Sequence, residues 1–229
     1  MPINARLMRV LSSGAVLQVA LDLLDLERAV RIAHEVLQAS PNIIIEVGTP
    51  LIKSVGMEAV RRLRREFTDA AILADMKAAD VGGLEVEMAA SAGADAVTVL
   101  GAVGDEVVKE AVERARELGV AVQVDTIGVK DVASRARKVK EIGADIIGLH
   151  VGIDVQRRRG VTAASLAPSI RGIKSLGLLV SVAGGLTPET IPIVVEHGAD
   201  IVVVGGYITR SSNPYEAAKR CVEALGARG

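Results

Sequence analysis

Short runs of Val, Ile, Leu and Ala recur roughly every 25 residues along the 229-residue chain, and that recurrence leaves few folds open. The runs occupy residues 16–21, 43–47, 71–74, 96–100, 120–124, 146–149, 178–182 and 201–204. Each carries at most one polar residue and none alternates, and such near-continuous apolarity marks strands covered on both faces, as in a parallel sheet. Segments with helical spacing separate them, for example Val107, Val108, Ala111, Val112, Ala115 and Leu118. The phrase Gly-Ala-Asp precedes three of the runs, at 93–95, 143–145 and 198–200. Each of these glycines suits the left-handed residue that closes a helix before the next strand. Eight strand–helix units with no break in composition predict an α/β fold, a (β/α)8 TIM barrel with parallel strands, formed by residues 1–229 as a single domain. The competing doubly wound sheet lacks its usual glycine-rich turn, because Asp22-Leu23-Leu24-Asp25 follows the first strand.

Composition narrows the partners. A net charge of -1 gives no long-range attraction for nucleic acid or an anionic membrane. Phe67, Tyr207 and Tyr215 are the only aromatics, too few for base-stacking platforms. No apolar run is long enough to span a bilayer, and residues 1–10 lack the apolar core of a signal peptide. The lone Cys221, in a helical pattern with Ala217, Ala218, Val222 and Leu225, reads as a buried structural thiol in a reducing, cytoplasmic setting.

Chemistry in such a barrel gathers at the carboxyl ends of the strands. Those ends carry Asp22, Glu46, the Asp75-Met76-Lys77-Ala78-Ala79-Asp80 stretch, Gly101, Asp125-Thr126, His150, Gly184-Gly185 and Gly205-Gly206. Asp75 and Lys77, two apart on one strand end, are expected to point the same way. A structural ion pair needs two charges, so the third at Asp80 suggests a site. Glu46 and Asp75, on neighbouring strands, repel unless a cation lies between them. Lys77 can serve one; a hard divalent ion, Mg2+ or Mn2+, can serve both with water and substrate oxygens completing its shell. His150 is the rim group able to exchange a proton near neutral pH. The paired glycines at 184–185 and 205–206 expose backbone N–H groups and predict a phosphate site. Thr187-Pro188 reads as a helix cap with proline at the first helical position. His34 and His197 read as surface and helix-terminal residues, Arg61, Arg62, Arg64 and Arg65 as a solvated helix face, and 157–159 as a surface loop rather than a phosphate clamp.

The D-x-K-x-x-D pattern at Asp75, Lys77 and Asp80 resembles the mark of the orotidine 5′-monophosphate decarboxylase suprafamily. The phrases at 17–22, 45–53, 150–156, 183–186 and 204–209 extend the resemblance over nearly the whole chain, toward the branch of 3-hexulose-6-phosphate synthases. That resemblance implies an aldol joining of formaldehyde to ribulose 5-phosphate, giving a hexulose 6-phosphate, or the reverse, with Mg2+ on Glu46 and Asp75. It further implies His150 as base, Lys77 as stabiliser of the enediolate and Asp22 orienting a sugar hydroxyl. Asp80 is expected to cross to the neighbouring site of a homodimer. Orotidine monophosphate decarboxylases carry a lysine where this chain has Glu46. The 3-keto-L-gulonate 6-phosphate decarboxylases carry arginines where it has Ile153 and Gly206. Those decarboxylases, and a non-catalytic sugar-phosphate-binding barrel, are the alternative readings.

Overall fold

The computed structural model describes residues 4–12 and 14–226. Its eight strands are β1 (Val16–Leu21), β2 (Ile43–Val47), β3 (Ala71–Ala78), β4 (Ala96–Leu100), β5 (Ala121–Asp125), β6 (Ile146–His150), β7 (Leu179–Ala183) and β8 (Ile201–Val204). They close in sequence order into a barrel, each parallel to its neighbours, with β8 returning to β1. Around it run α2 (Leu26–Ala39), α3 (Thr49–Val55), α4 (Glu58–Glu66), α5 (Gly82–Ser91), α6 (Asp105–Leu118) and α7 (Val132–Ile142). They are followed by α8 (Ile153–Arg159), α9 (Ala167–Lys174), α10 (Ile191–Glu196), α11 (Gly206–Thr209) and α12 (Pro214–Gly226). Among the described residues no helix is long and apolar enough to cross a membrane.

The continuous apolar runs follow from burial on both faces. Leu17, Val19, Ile43, Ile45, Val97 and Val122 pack outward under the helices. Val16, Ala20, Ile44, Leu73, Ala96, Ala121, Ile146 and Ile201 fill the barrel interior. Leu7 and Val10 join that inner cluster from α1 (Ala5–Leu11), a helix absent from the sequence reading. Asn4 caps α1 by accepting from the Arg6 N–H. Of the stretch at 1–10, residues 1–3 lie outside the described residues.

The Gly-Ala-Asp phrase does more than end helices. Gly93, Gly143 and Gly198 do adopt positive φ. The aspartate that follows each of them joins three strands. Asp95, Asp145 and Asp200 accept side-chain bonds from the N–H groups of Ile72, Val122 and Val180, on the preceding odd-numbered strand. Their carbonyls accept from Ala121, Leu179 and Val16, which open the next odd-numbered strand. A carboxylate acceptor makes each side-chain bond stronger than a neutral one, by charge assistance.

Three local readings change. Arg64 is not solvated: it bonds Asp95 at 2.5 Å and the carbonyls of Phe67, Ala70 and Gly93, because buried Asp95 needs a counter-charge. Thr187-Pro188 lies in a turn closed by Thr190, and α10 starts only at Ile191. Gly82-Gly83 begins α5, and a β-carbon at Gly82 would strike the Val107 carbonyl of α6. The arginines at 157–159 end α8 and are exposed, so the segment is helix, not loop. His34 is exposed against Glu66 and Phe67, and His197 caps α10 through the Ile193 carbonyl. Cys221 is buried, its thiol pushed up to about 12 by that burial.

Candidate active site

β3 does not end where its apolar run ends. Its ladder with β4 pairs Ala74 with Val97 and then Ala78 with Val99, so the register shifts across Asp75, Met76 and Lys77. Lys77 has φ 49°, and Val81 just beyond has φ 44°. Left-handed backbone is costly for a lysine and more so for a β-branched valine, and such strain concentrates at functional sites. Simple strand alternation therefore does not explain why Asp75 and Lys77 face one way; the bulge does. Its geometry is held by Thr98 of β4, whose hydroxyl accepts the Lys77 N–H at 2.8 Å and donates to Asp75 Oδ1 at 2.7 Å. Thr49, at the start of α3, donates to Asp75 Oδ2 at 2.8 Å.

Lys77 Nζ lies 2.6 Å from Asp75 Oδ2 and 3.3 Å from Asp125 Oδ2. His150 Nδ1 meets that same Asp125 oxygen at 2.8 Å, while Asp125 Oδ1 accepts the Ile127 N–H at 2.8 Å. One chain of contacts thus runs from β6 through β5 to β3. Burial tends to lower the Lys77 ammonium, but Asp75 and Asp125 outweigh it and the net shift is upward. For Asp125 burial works upward, and the His150 bond and the Lys77 ammonium bring the carboxyl below its ordinary range. An ionised Asp125 can only accept, so His150 carries its proton on Nδ1 and turns the lone pair of Nε2 away from Asp125.

Glu46 is buried beneath this chain, with Oε2 bonded to Gln18 Nε2 at 2.7 Å. Burial, then Asp75 and Asp22, hold its carboxyl well above the usual range. Asp22 lies at the mouth, raised by the surrounding protein and by Asp75. Its carboxylate touches the β-carbon position of Gly48, where a side chain would not fit, and stands 3.6 Å from that of Gly205. Four carboxyl groups, Asp22, Glu46, Asp75 and Asp125, therefore share the mouth with Lys77 and His150. Among the described residues no three His, Cys, Asp or Glu side chains converge as a cage for an ion. The excess of buried carboxylate fits instead a hard cation held by two protein oxygens and completed by substrate and water.

Asp80 stands apart from this cluster. It is exposed and accepts the Val81 N–H at 2.8 Å. Beside it Val81, Leu84 and Met88 are exposed apolar side chains. Gly184 and Gly185 have φ 127° and 68°, and Gly205-Gly206 lead into α11. Unlike the second pair, the first is not followed at once by a helix. The sequence reading missed the parts played by Thr49, Thr98 and Gln18. It placed Asp125 at a strand end without a partner, although an acid two strands from Lys77 and one from His150 was a usable signal.

Comparison with known proteins shows the family of the chain and the same fold in its relatives. A model described as the orotidine 5′-phosphate decarboxylase / HUMPS family matches residues 15–221. A 3-hexulose-6-phosphate synthase of Staphylococcus epidermidis is 40% identical over 91% of this chain and 98% of its own length. A crystal structure of a 3-hexulose-6-phosphate synthase superposes with TM-score 0.87 at 39% identity, covering 92% of this chain and 99% of the other. A KGPDC from Streptococcus mutans superposes at 0.85 with 28% identity, covering 91% and 96%. The chain belongs to the orotidine 5′-phosphate decarboxylase / HUMPS family.

Proposed function

We propose that this chain joins formaldehyde to D-ribulose 5-phosphate in an aldol condensation through an enediolate, or runs the reverse cleavage. It is an aldehyde-lyase. The observation that carries the reading is the contact chain His150–Asp125–Lys77–Asp75 at the barrel mouth, which sets a fixed proton acceptor beside a fixed cation.

The phosphate is held by the glycine turns at 184–185 and 205–206, and Asp22 receives a sugar hydroxyl. His150 Nε2 takes the proton from C1 of the ketopentose, while Asp125 keeps Nδ1 protonated and the ring oriented. Negative charge that develops on the substrate oxygens falls beside the Lys77 ammonium, which burial and two carboxylates hold in place. C1 then attacks the formaldehyde carbon, and His150 returns its proton to the new alkoxide. When bound by Glu46 and Asp75, Mg2+ (or Mn2+) would polarise the substrate carbonyl and acidify the C1 proton.

The subunit is read as one half of a cytoplasmic homodimer with shared sites. Exposed Asp80 bonds no other member of its own chain's cluster, and the apolar Val81, Leu84 and Met88 beside it suit a second copy. Ile153 offers no cation where a decarboxylase would need one, whereas at Gly206 the space of a side chain is taken by the Arg210 guanidinium. The test is incubation with formaldehyde, ribulose 5-phosphate and Mg2+, following formaldehyde loss and hexulose 6-phosphate gain. Release of CO2 from 3-keto-L-gulonate 6-phosphate without formaldehyde uptake would turn the assignment to decarboxylation. Binding without either reaction would leave a non-catalytic barrel.

A further inference from the structure

Helix α8 is attached to the barrel in an unusual way. None of its residues is buried: Ile153 and Val155 keep 48% and 38% of their surface exposed, and Gln156 is the most covered of the seven. Apolar packing therefore holds the helix down only in part, and an element so placed belongs to the low-stability end of a structure. What reaches the barrel is the Gln156 amide. Its Nε2 donates to the Val151 carbonyl at 2.6 Å. Val151 directly follows His150, and its own N–H donates to Ala183 at the end of β7 at 3.0 Å.

The other end of the amide meets the glycine turn that follows β7. A β-carbon at Gly185 would lie 2.6 Å from Gln156 Oε1 and 3.2 Å from the Thr162 methyl. A β-carbon at Gly184 would lie 2.5 Å from the Val151 carbonyl and 3.2 Å from Gln156 Nε2. The Gly184 carbonyl accepts the Ala163 N–H at 2.8 Å, so the segment after α8 also rests on this turn. One side chain thus touches both glycines and the carbonyl adjoining His150. The absence of side chains at 184 and 185 is what admits it.

We propose that Gln156 is a positioning residue that couples the 184–185 turn to His150, so that a phosphate on the turn aligns the base. This rests on the reading of that turn as the phosphate site. A phosphate that orders the turn fixes the Gln156 amide, which fixes the Val151 carbonyl and with it the backbone of His150. Binding energy from a non-reacting group is then used at C1, where a displacement near 1 Å costs about 100-fold in rate.

The experiment compares Gln156→Leu and Gln156→Met with the wild type, using ribulose 5-phosphate and phosphate-free ribulose, each with formaldehyde and Mg2+. Both variants keep the side chain's bulk and remove its two polar ends, and thermal melting checks that they fold. With ribulose 5-phosphate, kcat is expected to fall about 10- to 100-fold while KM changes less than about 3-fold. With phosphate-free ribulose the variants should match the wild type within about 3-fold. In the wild type, added inorganic phosphate should shift the His150 imidazole resonances; in the variants it should not. Equal losses on both substrates, or an unchanged kcat on ribulose 5-phosphate, would overturn the coupling alone. A wild type indifferent to the phosphate would overturn the phosphate reading, and the coupling with it.

Discussion

Asp125→Asn changes one atom and should disable the base. The Ile127 N–H donates to Asp125 Oδ1, so the asparagine carbonyl is held at that position. Its NH2 must then occupy the place of Oδ2, 2.8 Å from His150 Nδ1 and 3.3 Å from Lys77 Nζ. A donor facing Nδ1 forces the imidazole proton onto Nε2, the nitrogen that should accept it from C1. A charge-assisted bond is worth about 1.5–3 kcal/mol, or roughly 10- to 100-fold in rate. The tautomer adds to this, since the equivalent change in a serine protease triad costs about 10⁴-fold. Turnover should therefore fall by at least about 100-fold and toward 10⁴-fold, with the substrate KM little changed. The assay is steady-state formaldehyde uptake, with nitrogen-15 NMR of His150 reporting which ring nitrogen is protonated. Turnover within about 3-fold of wild type, or a proton still on Nδ1, would refute the reasoning.

Glu46→Gln should abolish most activity and regain part of it as Mg2+ is raised; full activity in excess chelator would remove Glu46 as a metal ligand. Lys77→Ala should lower kcat by about 100-fold or more while KM changes little, and a variant that loses only affinity would make Lys77 a binding residue. Asp80→Ala and His150→Ala, each inactive alone, should recover roughly a quarter of wild-type activity after subunit exchange, because half the dimers are mixed and carry one intact site of two. No recovery after verified exchange would assign Asp80 to its own chain's site. Without metal, stability should fall as pH rises above 4.5, the ordinary value of Glu46, because its raised carboxyl must ionise while buried. Asp125 works the other way, but its contribution is lost only as pH falls through and below 3.8, and that of Lys77 is lost only above 10.5. Melting midpoints between about pH 5 and about pH 8 test this, with Mg2+ expected to close the gap; a midpoint that rises with pH in the absence of metal would contradict it.

The strands were readable because burial on both faces leaves a nearly unbroken apolar signature, as in 43–45 and 201–204. β3 outran its signature because Asp75 and Lys77 are polar residues inside the barrel mouth. The rim residues Asp22, Glu46, Asp75, Lys77 and His150 could be collected from strand ends alone, since parallel topology puts all those ends on one side. What joins them could not. The bulge depends on a threonine one strand away, and the partner of His150 lies 25 residues earlier in the chain. Arg64 looked solvated because its carboxylate partner, Asp95, belongs to a different strand–helix unit.

The aspartates before β4, β6 and β8 bind the barrel at its amino end, while every proposed catalytic group stands at the opposite end. Cohesion and reactivity are therefore drawn from separate sets of residues. No such aspartate precedes β2; α1 sits under that quarter, where Arg6 reaches Asp95 and Arg9 reaches the Asp69 carbonyl. A lineage of barrels braced in this way can exchange lysine for glutamate or arginine for glycine at the mouth without loosening its frame. That division separates the residues that set the chemistry from those that hold the frame, so a change of reaction at the mouth need not cost the barrel its stability.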